Sequence, residues 1–580
     1  MKTPAILTIA AALAQPLLAQ HAPDRHPLYD AAAPTAAQAQ KAPAATELKL
    51  AVMPDTRIST EMQQVDAAAA PAVRLSGWRG ERCSTQLVVQ ANGAAKSLRV
   101  AAAALQGQGG SLPLSATMVR YTKGAGKVLA DVIGTESMCD NPAGVLRPVW
   151  VQVDIPRDAA PGLYKGTVSV AADGCPAVAC AVELEVLPNT LPTPRDWKMH
   201  FDLWQQPESV ARWHDVPAWS PEHLALMKPL MQRLADAGQK AITCAIMDEA
   251  WGGQTYDWFP SQVEWVKGAD GQMHYDYAAF DTWVEFMMNE AGMKDADIFC
   301  YTMIPWSMSI RYRDETPGAT AYGTLKLDHK SPEFRRVWGH FLADFRRHLQ
   351  EKGWLGRTSI ALDERGDELV RAAMAVIREF APELRVVSSV NRPSEVSKGV
   401  YVLSPAMEHV GMLTPELMAE RKAQGGKTIY YTCCDPQRPN TFTFSQPAEA
   451  EFLPLFAAAR HLDGYSRWAY NSWNRNPFEN TDFGTWPTGD CFLVYPGNLS
   501  SIRFERLRDG IEEYEKIRIL RAAAESDPAL KPAVQELDNT LLQLMSPQNA
   551  AGTAQHEQVR QAKECIEKVS KLQENAFLIN

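Results

Sequence analysis

Eight short hydrophobic runs between residues 198 and 470 constrain the fold of this chain more than any other feature. Helical segments, whose apolar residues recur at intervals of three and four, fill most of the gaps between them. Strand and helix alternating eight times over about 300 residues predict a closed (β/α)8 barrel. The gap at 391–399 is too short for a crossover helix, so we expect a distorted barrel. The predicted strands are KMHFDLWQ from 198, KAITCAIM from 240, DIFCYTMI from 297, TSIALD from 358, RVVSSV from 385, VYVLS from 400, KTIYYTC from 427 and GYSRWAY from 464.

Sequences of different character flank the predicted barrel, which we place at 195–505. Residues 47–190 contain alternating or β-branched runs, such as STQLVVQ and RPVWVQVDI, separated by Gly, Pro and Asp turns. This pattern predicts an all-β sandwich. Residues 506–580 are amphipathic and predict C-terminal helices that pack on the barrel or on each other. The predicted fold class is therefore multidomain, with a sandwich, a distorted (β/α)8 TIM barrel and a helical tail.

The N-terminus predicts export. MKTPAILTIAAALAQPLLAQ has one lysine before an apolar stretch of signal-peptide length, and Leu17-Leu18-Ala19 offers a small-residue cleavage site. We therefore expect a signal peptide at 1–19, followed by an Ala/Pro-rich mobile linker at 20–46. No later stretch reaches the 18 or so apolar residues that a membrane helix needs, so we expect a periplasmic or extracellular protein without a membrane span.

Charge and cysteine content narrow the function classes. The net charge of -10, without long runs of like charge, argues against a nucleic-acid partner. The ten cysteines match neither a dense disulfide framework nor a zinc site, and we expect no metal and no cofactor. Cys175 and Cys180 could close a small hairpin loop by a disulfide. Cys433 and Cys434 are adjacent, and we expect a pair of buried thiols.

An adjacent acid pair, Asp363 and Glu364, follows the predicted strand TSIAL. The C-terminal ends of barrel strands carry the active sites of such folds. A rival pair, Asp248-Glu249, also stands at a strand end. By contrast, Asp367 and Glu368 are typical of the charged first turn of a helix.

Adjacent carboxylates favour one form of glycosidase chemistry. Enzymes that use two carboxylates directly on the sugar need them roughly 5 to 10 Å apart, which neighbours at one strand end reach with difficulty. In substrate-assisted catalysis the 2-acetamido oxygen of the sugar attacks the anomeric carbon. One carboxylate then orients the acetamido N–H while the next acts as general acid.

The region 430–495 is rich in aromatic residues, with fifteen in 66 residues. Aromatic faces stack on sugars, whereas Arg, Asn and Asp read hydroxyl groups. A buried aromatic core is the alternative explanation, but core positions exclude unpaired charge. The close interleaving of Arg467, Asn471, Asn474 and Asp490 with the aromatics therefore predicts a saccharide cleft.

Longer motifs resemble a known family. YYTCCDPQRPNTFTFSQPAEAEFLPLFAAARHLDGYSRWAYNSW, TWPTGDCFLVYPG, IALDER, FDLWQQPESVARWHDV, WGGQTYDWF and CYTMIPWSM resemble the catalytic domain of glycoside hydrolase family 123 over roughly 195–520. The preceding sandwich is similar to the N-terminal module of that family. The resemblance implies a (β/α)8 fold and a retaining exo-β-N-acetylgalactosaminidase that works by the substrate-assisted route. It further implies that Asp363 orients the acetamido group and that Glu364 is the general acid/base.

The matched motifs also imply residues that bind substrate. In the family the place of MDEAW tends to read His-Asp-Pro-Trp, so Met247 and Glu249 depart from the pattern and favour a structural or pocket-lining role for the rival pair. Tyr431, at a strand end, is predicted to hydrogen-bond the acetamido group. The other predicted pocket residues are Arg467, Trp468, Tyr470, Asn471, Trp473, Trp486 and Asp490, with Trp204, Tyr277 and Trp306 as further candidates that apolar packing explains equally well.

Three functions remain open from the residues. The first is a β-N-acetylgalactosaminidase whose partner is a glycan with a terminal β-linked 2-acetamido sugar. The second keeps the chemistry but changes the sugar, giving a β-N-acetylglucosaminidase or a broader hexosaminidase. The third is a glycan-binding protein without turnover, against which the intact acid pair counts.

Overall fold

The computed structural model describes residues 30–33, 42–66, 70–484, 486–545 and 553–579. The predicted signal peptide at 1–19 and much of the predicted linker lie outside these residues. Within the linker, Asp30 is tied to the neighbouring domain, because its carboxylate lies 2.6 Å from the buried guanidinium of Arg147. This part of the predicted mobile linker is therefore anchored. Among the described residues, no helix is long and apolar enough to cross a membrane.

The N-terminal region is a β-sandwich. One sheet has the strand order β1-β3-β10-β7-β8, extended by β25 from the end of the barrel region. The other has the order β2-β12-β11-β4-β9, with β5 paired to β11 and β6 paired to β5. Apolar side chains such as Leu87, Val151 and Val182 alternate inward and fill the space between the sheets. The strands are β1 Leu48–Val52, β2 Ala72–Arg79, β3 Arg82–Ala91, β4 Ala95–Ala102, β5 Leu105–Gly107, β6 Gly110–Leu112, β7 Ser115–Gly124, β8 Lys127–Ile133, β9 Met138–Asn141, β10 Arg147–Asp154, β11 Gly162–Ala172, β12 Cys175–Thr190 and β25 Ser500–Ser501.

Cys175 and Cys180 lie in the same strand, β12, and do not close the hairpin loop that the sequence suggested. Cys175 begins β12 and Cys180 lies five positions along it, opposite Val168 of β11. Both are free thiols. The suggested disulfide was wrong, because an extended strand rises about 3.3 Å per residue and keeps the two sulfurs apart.

Eight parallel strands form the nearly closed barrel that the sequence predicted. Their order is β13-β24-β23-β22-β21-β20-β17-β14, and a single bridge between Phe201 and Gln239 links the two edges. Residues such as Ala241, Phe299 and Ala361 pack inside the barrel. The strands are β13 His200–Leu203, β14 Ala241–Ala245, β17 Asp297–Tyr301, β20 Thr358–Asp363, β21 Arg385–Val390, β22 Val402–Pro405, β23 Lys427–Tyr431 and β24 Gly464–Arg467.

Helices surround the barrel, and their ends follow ordinary capping chemistry. Ser331 accepts a hydrogen bond from the N–H of Phe334, and Gly353 ends the same helix in the left-handed conformation. As expected, 391–399 holds no α-helix, only the 3-10 turn Ser397–Gly399. The helices of the barrel region are α1 Pro207–His214, α2 Pro221–Ala235, α3 Ala278–Asn289, α4 Pro332–Lys352, α5 Asp367–Phe380, α6 Pro415–Ala423 and α7 Pro447–Ala459.

Two loops at the C-terminal ends of β14 and β17 build a small additional sheet. Its order is β16-β15-β18-β19. The long loops on this face therefore carry their own hydrogen-bonded framework rather than irregular chain alone. The strands are β15 Glu264–Lys267, β16 Met273–Asp276, β18 Ser309–Asp314 and β19 Tyr322–Lys326.

The C-terminal helices join the barrel to the sandwich. A Cβ at Gly510 would lie 2.5 Å from the carbonyl oxygen of Glu451, so only glycine allows α8 to cross α7 this closely. The indole N–H of Trp78 in the sandwich donates to Ser570 Oγ in the last helix at 3.0 Å. Trp78 thus belongs to the same hydrophobic cluster as the helices around the barrel, whereas the interior of the sandwich forms a cluster of its own. The helices are α8 Ile502–Ser526, α9 Lys531–Leu542 and α10 Thr553–Ile579.

Candidate active site

The pair Asp363 and Glu364 lies where β20 ends, on the face of the barrel that carries the C-terminal ends of its strands. Asp363 is the last residue of β20, and the N–H of Glu364 still donates to Ser389 of β21 at 2.9 Å. Glu364 has φ 50°, in the left-handed region that a glutamate rarely adopts. Because this turn breaks the strand's alternation, the two neighbouring carboxylates are not forced to opposite faces of the sheet.

Each carboxylate has its own neighbours. The hydroxyl of Tyr431, at the end of β23, donates to Glu364 Oε1. Trp306 lies close enough to Asp363 for its indole N–H to lower the pKa of that carboxyl group. The guanidinium of Arg365 lies over the Trp306 ring, 4.6 Å from its centroid. Trp306 is nonetheless 45% exposed, so its face remains open to a ligand.

The acid pair retains a proton to near neutral pH. Burial raises the pKa of Asp363 to about 7, and the negative charge of Glu364 contributes, while Trp306 and Arg365 act in the opposite direction. Asp363 is therefore the carboxyl group of the pair that keeps its proton to near neutral pH, and it is a carboxylate only above about pH 7.

A cluster of aromatic rings lies beside the pair. Trp204 stacks on Trp251 with 5.6 Å between centroids, and Tyr301 lies 4.6 Å from Trp204. Trp468 and Trp486 are half-buried and meet edge to face at 5.9 Å. The structure thus brings Tyr431, Trp306 and these predicted tryptophans to the same end of the barrel as the acids.

Two charged residues that were predicted to line the pocket are instead buried. Arg467 and Asp490 are fully buried and form an ion pair. The second carboxylate oxygen of Asp490 accepts the indole N–H of Trp468 at 3.1 Å. The buried charges are therefore paired, and they fix the orientation of Trp468.

Tyr470, Asn471 and Trp473 are also buried and satisfied internally. The Tyr470 hydroxyl donates to Leu230 O at 2.9 Å, and the Trp473 indole donates to Val494 O at 2.7 Å. The Asn471 amide donates to the carbonyl of Gln206 at 2.9 Å and accepts its N–H at 3.0 Å. Like the ion pair, these three side chains lie behind the catalytic face and not on it.

Tyr277 lies in the outer helical layer. Its hydroxyl donates to Asp344 Oδ1 of α4 at 2.8 Å, and its ring stacks on His348 at 4.0 Å. Helix packing accounts for this tyrosine, and the structure does not bring it to the acid pair.

The carboxylates of the rival pair, Asp248 and Glu249, accept hydrogen bonds from the loop that follows them. Asp248 Oδ1 accepts the N–H of Ser261 at 2.7 Å, and its other oxygen lies 3.3 Å from Arg311. Glu249 Oε1 accepts the N–H of Phe259 at 2.7 Å. Both carboxylates are therefore used to hold the chain between β14 and β15.

The sequence reasoning missed residues that the site contains. Trp251, Tyr301 and Arg365 contact the predicted residues. Each lay inside a motif already recognised, respectively WGGQTYDWF, CYTMIPWSM and IALDER. Glu208, in the first turn of α1, is buried, and both its carboxyl oxygens lack a hydrogen-bond partner among the described residues. Burial raises its pKa to about 8, and the charge of Asp257 contributes. It is a neutral acid at physiological pH.

No group of three or more His, Cys, Asp or Glu side chains in the described part of the chain is arranged to hold a metal ion. The polar side chains that the structure brings to the acid pair are the phenol, indole and guanidinium groups described above. This donor set suits an organic ligand with hydroxyl and amide groups.

Family models account for most of the chain. The model of the glycoside hydrolase 123 catalytic domain matches residues 204–520, and the model of the glycoside hydrolase 123 N-terminal domain matches residues 54–172. The chain belongs to glycoside hydrolase family 123. The catalytic model spans all the barrel strands after β13 together with the acid pair, so the family resemblance seen in the sequence is confirmed.

Solved structures agree with a family 123 fold. A family 123 glycoside hydrolase from Clostridium perfringens, described for glycolipid glycan hydrolysis, is similar with a TM-score of 0.84 and 21% identity, covering 92% of this chain and 100% of that one. A GH5 xyloglucanase from Bacteroides ovatus has a TM-score of 0.29 at 11% identity and covers 76% of this chain and 98% of its own. A TM-score this low does not indicate a shared overall fold. A comparison with curated proteins finds no significant match.

Membership in family 123 makes this protein a glycoside hydrolase with a glycan substrate. The nearly closed barrel corresponds to the catalytic domain of the family, and the β-sandwich corresponds to its N-terminal domain.

Proposed function

We propose that this family 123 protein is a retaining exo-glycosidase that releases terminal β-linked N-acetylgalactosamine from glycans by substrate-assisted catalysis. The observation that carries the proposal is the adjacent pair Asp363 and Glu364 at the end of β20, with the left-handed backbone at Glu364 and the hydrogen bond that Tyr431 donates to Glu364. Adjacent acids suit a mechanism in which the sugar supplies its own nucleophile.

In the first step the acetamido oxygen of the substrate attacks C1. The bond between C1 and the glycosidic oxygen breaks, and Glu364 donates its proton to the departing oxygen. Asp363 accepts the acetamido N–H and offsets the positive charge of the oxazolinium ring that forms. Because this charge exists only after attack begins, Asp363 stabilises the transition state more than the bound substrate.

In the second step water opens the ring. Glu364, now a carboxylate, takes a proton from water as the water oxygen bonds to C1, and the acetamido group is restored. Two inversions at C1 give net retention. The Tyr431 hydroxyl, which donates to Glu364 in the free protein, helps to hold this carboxylate in place between the two steps.

Aromatic faces suit the apolar face of a sugar ring. Trp306 lies near Asp363 and has a partly exposed ring, and Trp468 is held by its hydrogen bond to Asp490. We propose that these rings contact the bound sugar, while the fully buried residues behind them fix their positions.

The test compares aryl β-N-acetylgalactosaminide with aryl β-N-acetylglucosaminide, which differ only in the configuration at C4. We expect a higher kcat/KM for the first. Preference for the second would replace the galactosaminidase with a glucosaminidase, and binding of glycan without cleavage of either would indicate a binding protein. Proton NMR of the first-formed product should show the β-anomer, whereas the α-anomer would exclude retention.

We also propose that the mature protein works outside the cytoplasm. The support is the lysine and apolar stretch of the first 19 residues. N-terminal sequencing of protein recovered from the periplasm or medium should begin just after Ala19. Recovery of full-length chain only from the cytoplasm would contradict export.

A further inference from the structure

The loop after β23 contains two adjacent cysteines whose thiols touch. Cys433 Sγ and Cys434 Sγ lie 3.7 Å apart, and both are free. The sequence led us to expect buried thiols, but both residues are half-buried and within reach of a small reagent. The pair therefore differs from a structural core thiol such as Cys244, which is fully buried.

The surrounding chain fixes the geometry of the pair. The Asn440 amide donates to Cys433 O at 3.0 Å and to Pro436 O at 2.7 Å. The N–H of Cys433 donates to Asp435 O at 3.1 Å. Because the loop is anchored on its far side, a change in the separation of the sulfurs is transmitted toward β23.

The two thiols are unequal. The hydrogen bond from Cys433 lowers the pKa of Cys434, whereas the same bond and burial raise the pKa of Cys433. Thiolate is the reactive form of cysteine, so Cys434 is the group that would attack first.

The pair stands directly behind the catalytic face. Tyr431, whose hydroxyl donates to Glu364, is two residues before Cys433. Between them, the Thr432 hydroxyl and carbonyl accept from the guanidinium of Arg467 at 3.1 and 3.3 Å. One residue, Thr432, separates Tyr431 from the dithiol in the chain. The hydroxyl of Tyr431 is hydrogen-bonded directly to Glu364.

We propose that Cys433 and Cys434 form a redox-active dithiol that closes to a vicinal disulfide by exchange with low-molecular-weight disulfides, and that its state sets the position of Tyr431 beside Glu364. The Cys434 thiolate attacks one sulfur of the oxidant RSSR and releases RS⁻. Cys433 loses its proton to solvent, attacks the Cys434 sulfur of the mixed disulfide and releases the second RS⁻. The protein loses two hydrogens, and RSSR is reduced to two RSH.

The geometry makes this disulfide reversible. Sulfurs in a disulfide are about 2.05 Å apart, so the pair must close by more than an ångström. Adjacent Cα atoms are about 3.8 Å apart, less than the separation of roughly 4.4 Å or more in ordinary disulfides. A strained disulfide is readily reduced, which is typical of a regulatory bond and not of a structural one.

The first experiment does not depend on catalysis. Full-length protein is treated with oxidised glutathione or with dithiothreitol, and the peptide that carries both cysteines is weighed after blocking free thiols. We expect the oxidised peptide to lose two hydrogens without gaining glutathione. A peptide with two blocked thiols or with two glutathionyl groups would overturn the proposal.

A vicinal dithiol also binds trivalent arsenic through both sulfurs. Phenylarsine oxide should bind the reduced protein with one equivalent at this peptide, and either Cys433→Ser or Cys434→Ser should abolish that binding. Cys139→Ser, which removes a half-buried thiol of the sandwich, is the matched control and should leave it unchanged. Arsenical binding that survives in Cys434→Ser would contradict the dithiol.

The link to Tyr431 rests on the proposed function, and its failure can be told apart from the failure of disulfide formation. We expect oxidised and reduced enzyme to differ in kcat for an aryl β-N-acetylgalactosaminide by roughly tenfold, the effect of losing a hydrogen bond to a charged group. The difference should vanish in Cys434→Ser. Identical kcat and pH profiles in the two states, with the disulfide proven by mass, would refute the positioning role alone.

Discussion

Two Asp-Glu pairs in this molecule share a sequence and a backbone but not their surroundings. Asp248-Glu249 follows β14 after two residues, and Asp363-Glu364 closes β20. The glutamates have φ 51° and 50°, so the chain turns in the same way at both. A dipeptide and its conformation therefore do not determine what its two carboxylates contact.

The difference lies in the length of the chain that follows each pair. After Glu249 a long loop runs to β15, and its backbone N–H groups at Phe259 and Ser261 need acceptors, which the two carboxylates supply. After Glu364 only two residues precede α5, so no loop occupies Asp363 and Glu364. Their neighbours come from other strand ends instead. A carboxylate becomes available for chemistry where the local backbone does not need it.

The largest expected effect is that of Glu364→Gln, which keeps the shape but removes the proton that the leaving group needs. For an alkyl or sugar leaving group, we expect kcat/KM to fall roughly 10²–10⁴-fold, as for loss of a general acid. For a nitrophenyl leaving group, which departs without protonation, the loss in the first step should be much smaller. Equal losses for both leaving groups would argue against Glu364 as the acid.

The pH profile should show which protonation state is active. Because the pKa of Asp363 is raised to about 7, this residue is neutral below that pH and a carboxylate above it. The proposed mechanism needs Asp363 as a carboxylate, so with an uncharged substrate kcat/KM should rise as the pH approaches about 7, by roughly tenfold per pH unit on the acid side. A kcat/KM that is already constant from about pH 4 to about pH 7 would contradict this role of Asp363.

Tyr431→Phe should have an intermediate effect. The change removes the hydroxyl that donates to Glu364 and leaves the ring in place. We expect roughly a tenfold fall in kcat, the scale of a hydrogen bond to a charged group, and a displaced pH profile. Tyr430→Phe is the matched control, because the Tyr430 hydroxyl donates to Leu453 O on the helix side of the same strand. An equal loss of kcat in both variants would assign the effect to the strand and not to Glu364.

Glu249→Ala should affect the loop and not the chemistry. It removes the acceptor for Phe259 N–H, and we expect a local loss of stability of about 1–3 kcal/mol for the unpaired group. Limited proteolysis should cut between residues 249 and 261 faster than in the parent protein. A variant that is cut no faster but has lost turnover would place this pair in the catalytic machinery.

The barrel was predictable because its strands are short, continuous apolar runs, which a sheet covered on both faces requires. All eight predicted strands are present. The sequence also placed Asp363 and Glu364 at a strand end, because TSIAL precedes them and a helix start follows. The hydrogen bonds that occupy the rival pair depend on the geometry of the loop after β14, which the sequence pattern does not contain.

The aromatic-rich region was harder to interpret. The charged residues among its aromatics suggested a cleft, since unpaired charge is excluded from a core, but Arg467 and Asp490 pair with each other in the interior. Composition cannot distinguish a buried ion pair from two separate pocket residues. Tyr277 was a further candidate that apolar packing explained equally well, and in the structure it packs against α4 in the outer layer.

The most direct measurement of the difference between the two pairs is turnover of one aryl β-N-acetylgalactosaminide by the isosteric variants Asp363→Asn and Asp248→Asn. Asparagine keeps the acceptor for Ser261 N–H at 248, whereas at 363 it cannot offset the charge of the oxazolinium ring. We predict that Asp363→Asn lowers kcat by about 10²–10³-fold, as for loss of an electrostatic stabiliser, and that Asp248→Asn leaves it nearly unchanged. Full activity in Asp363→Asn would contradict the substrate-assisted mechanism.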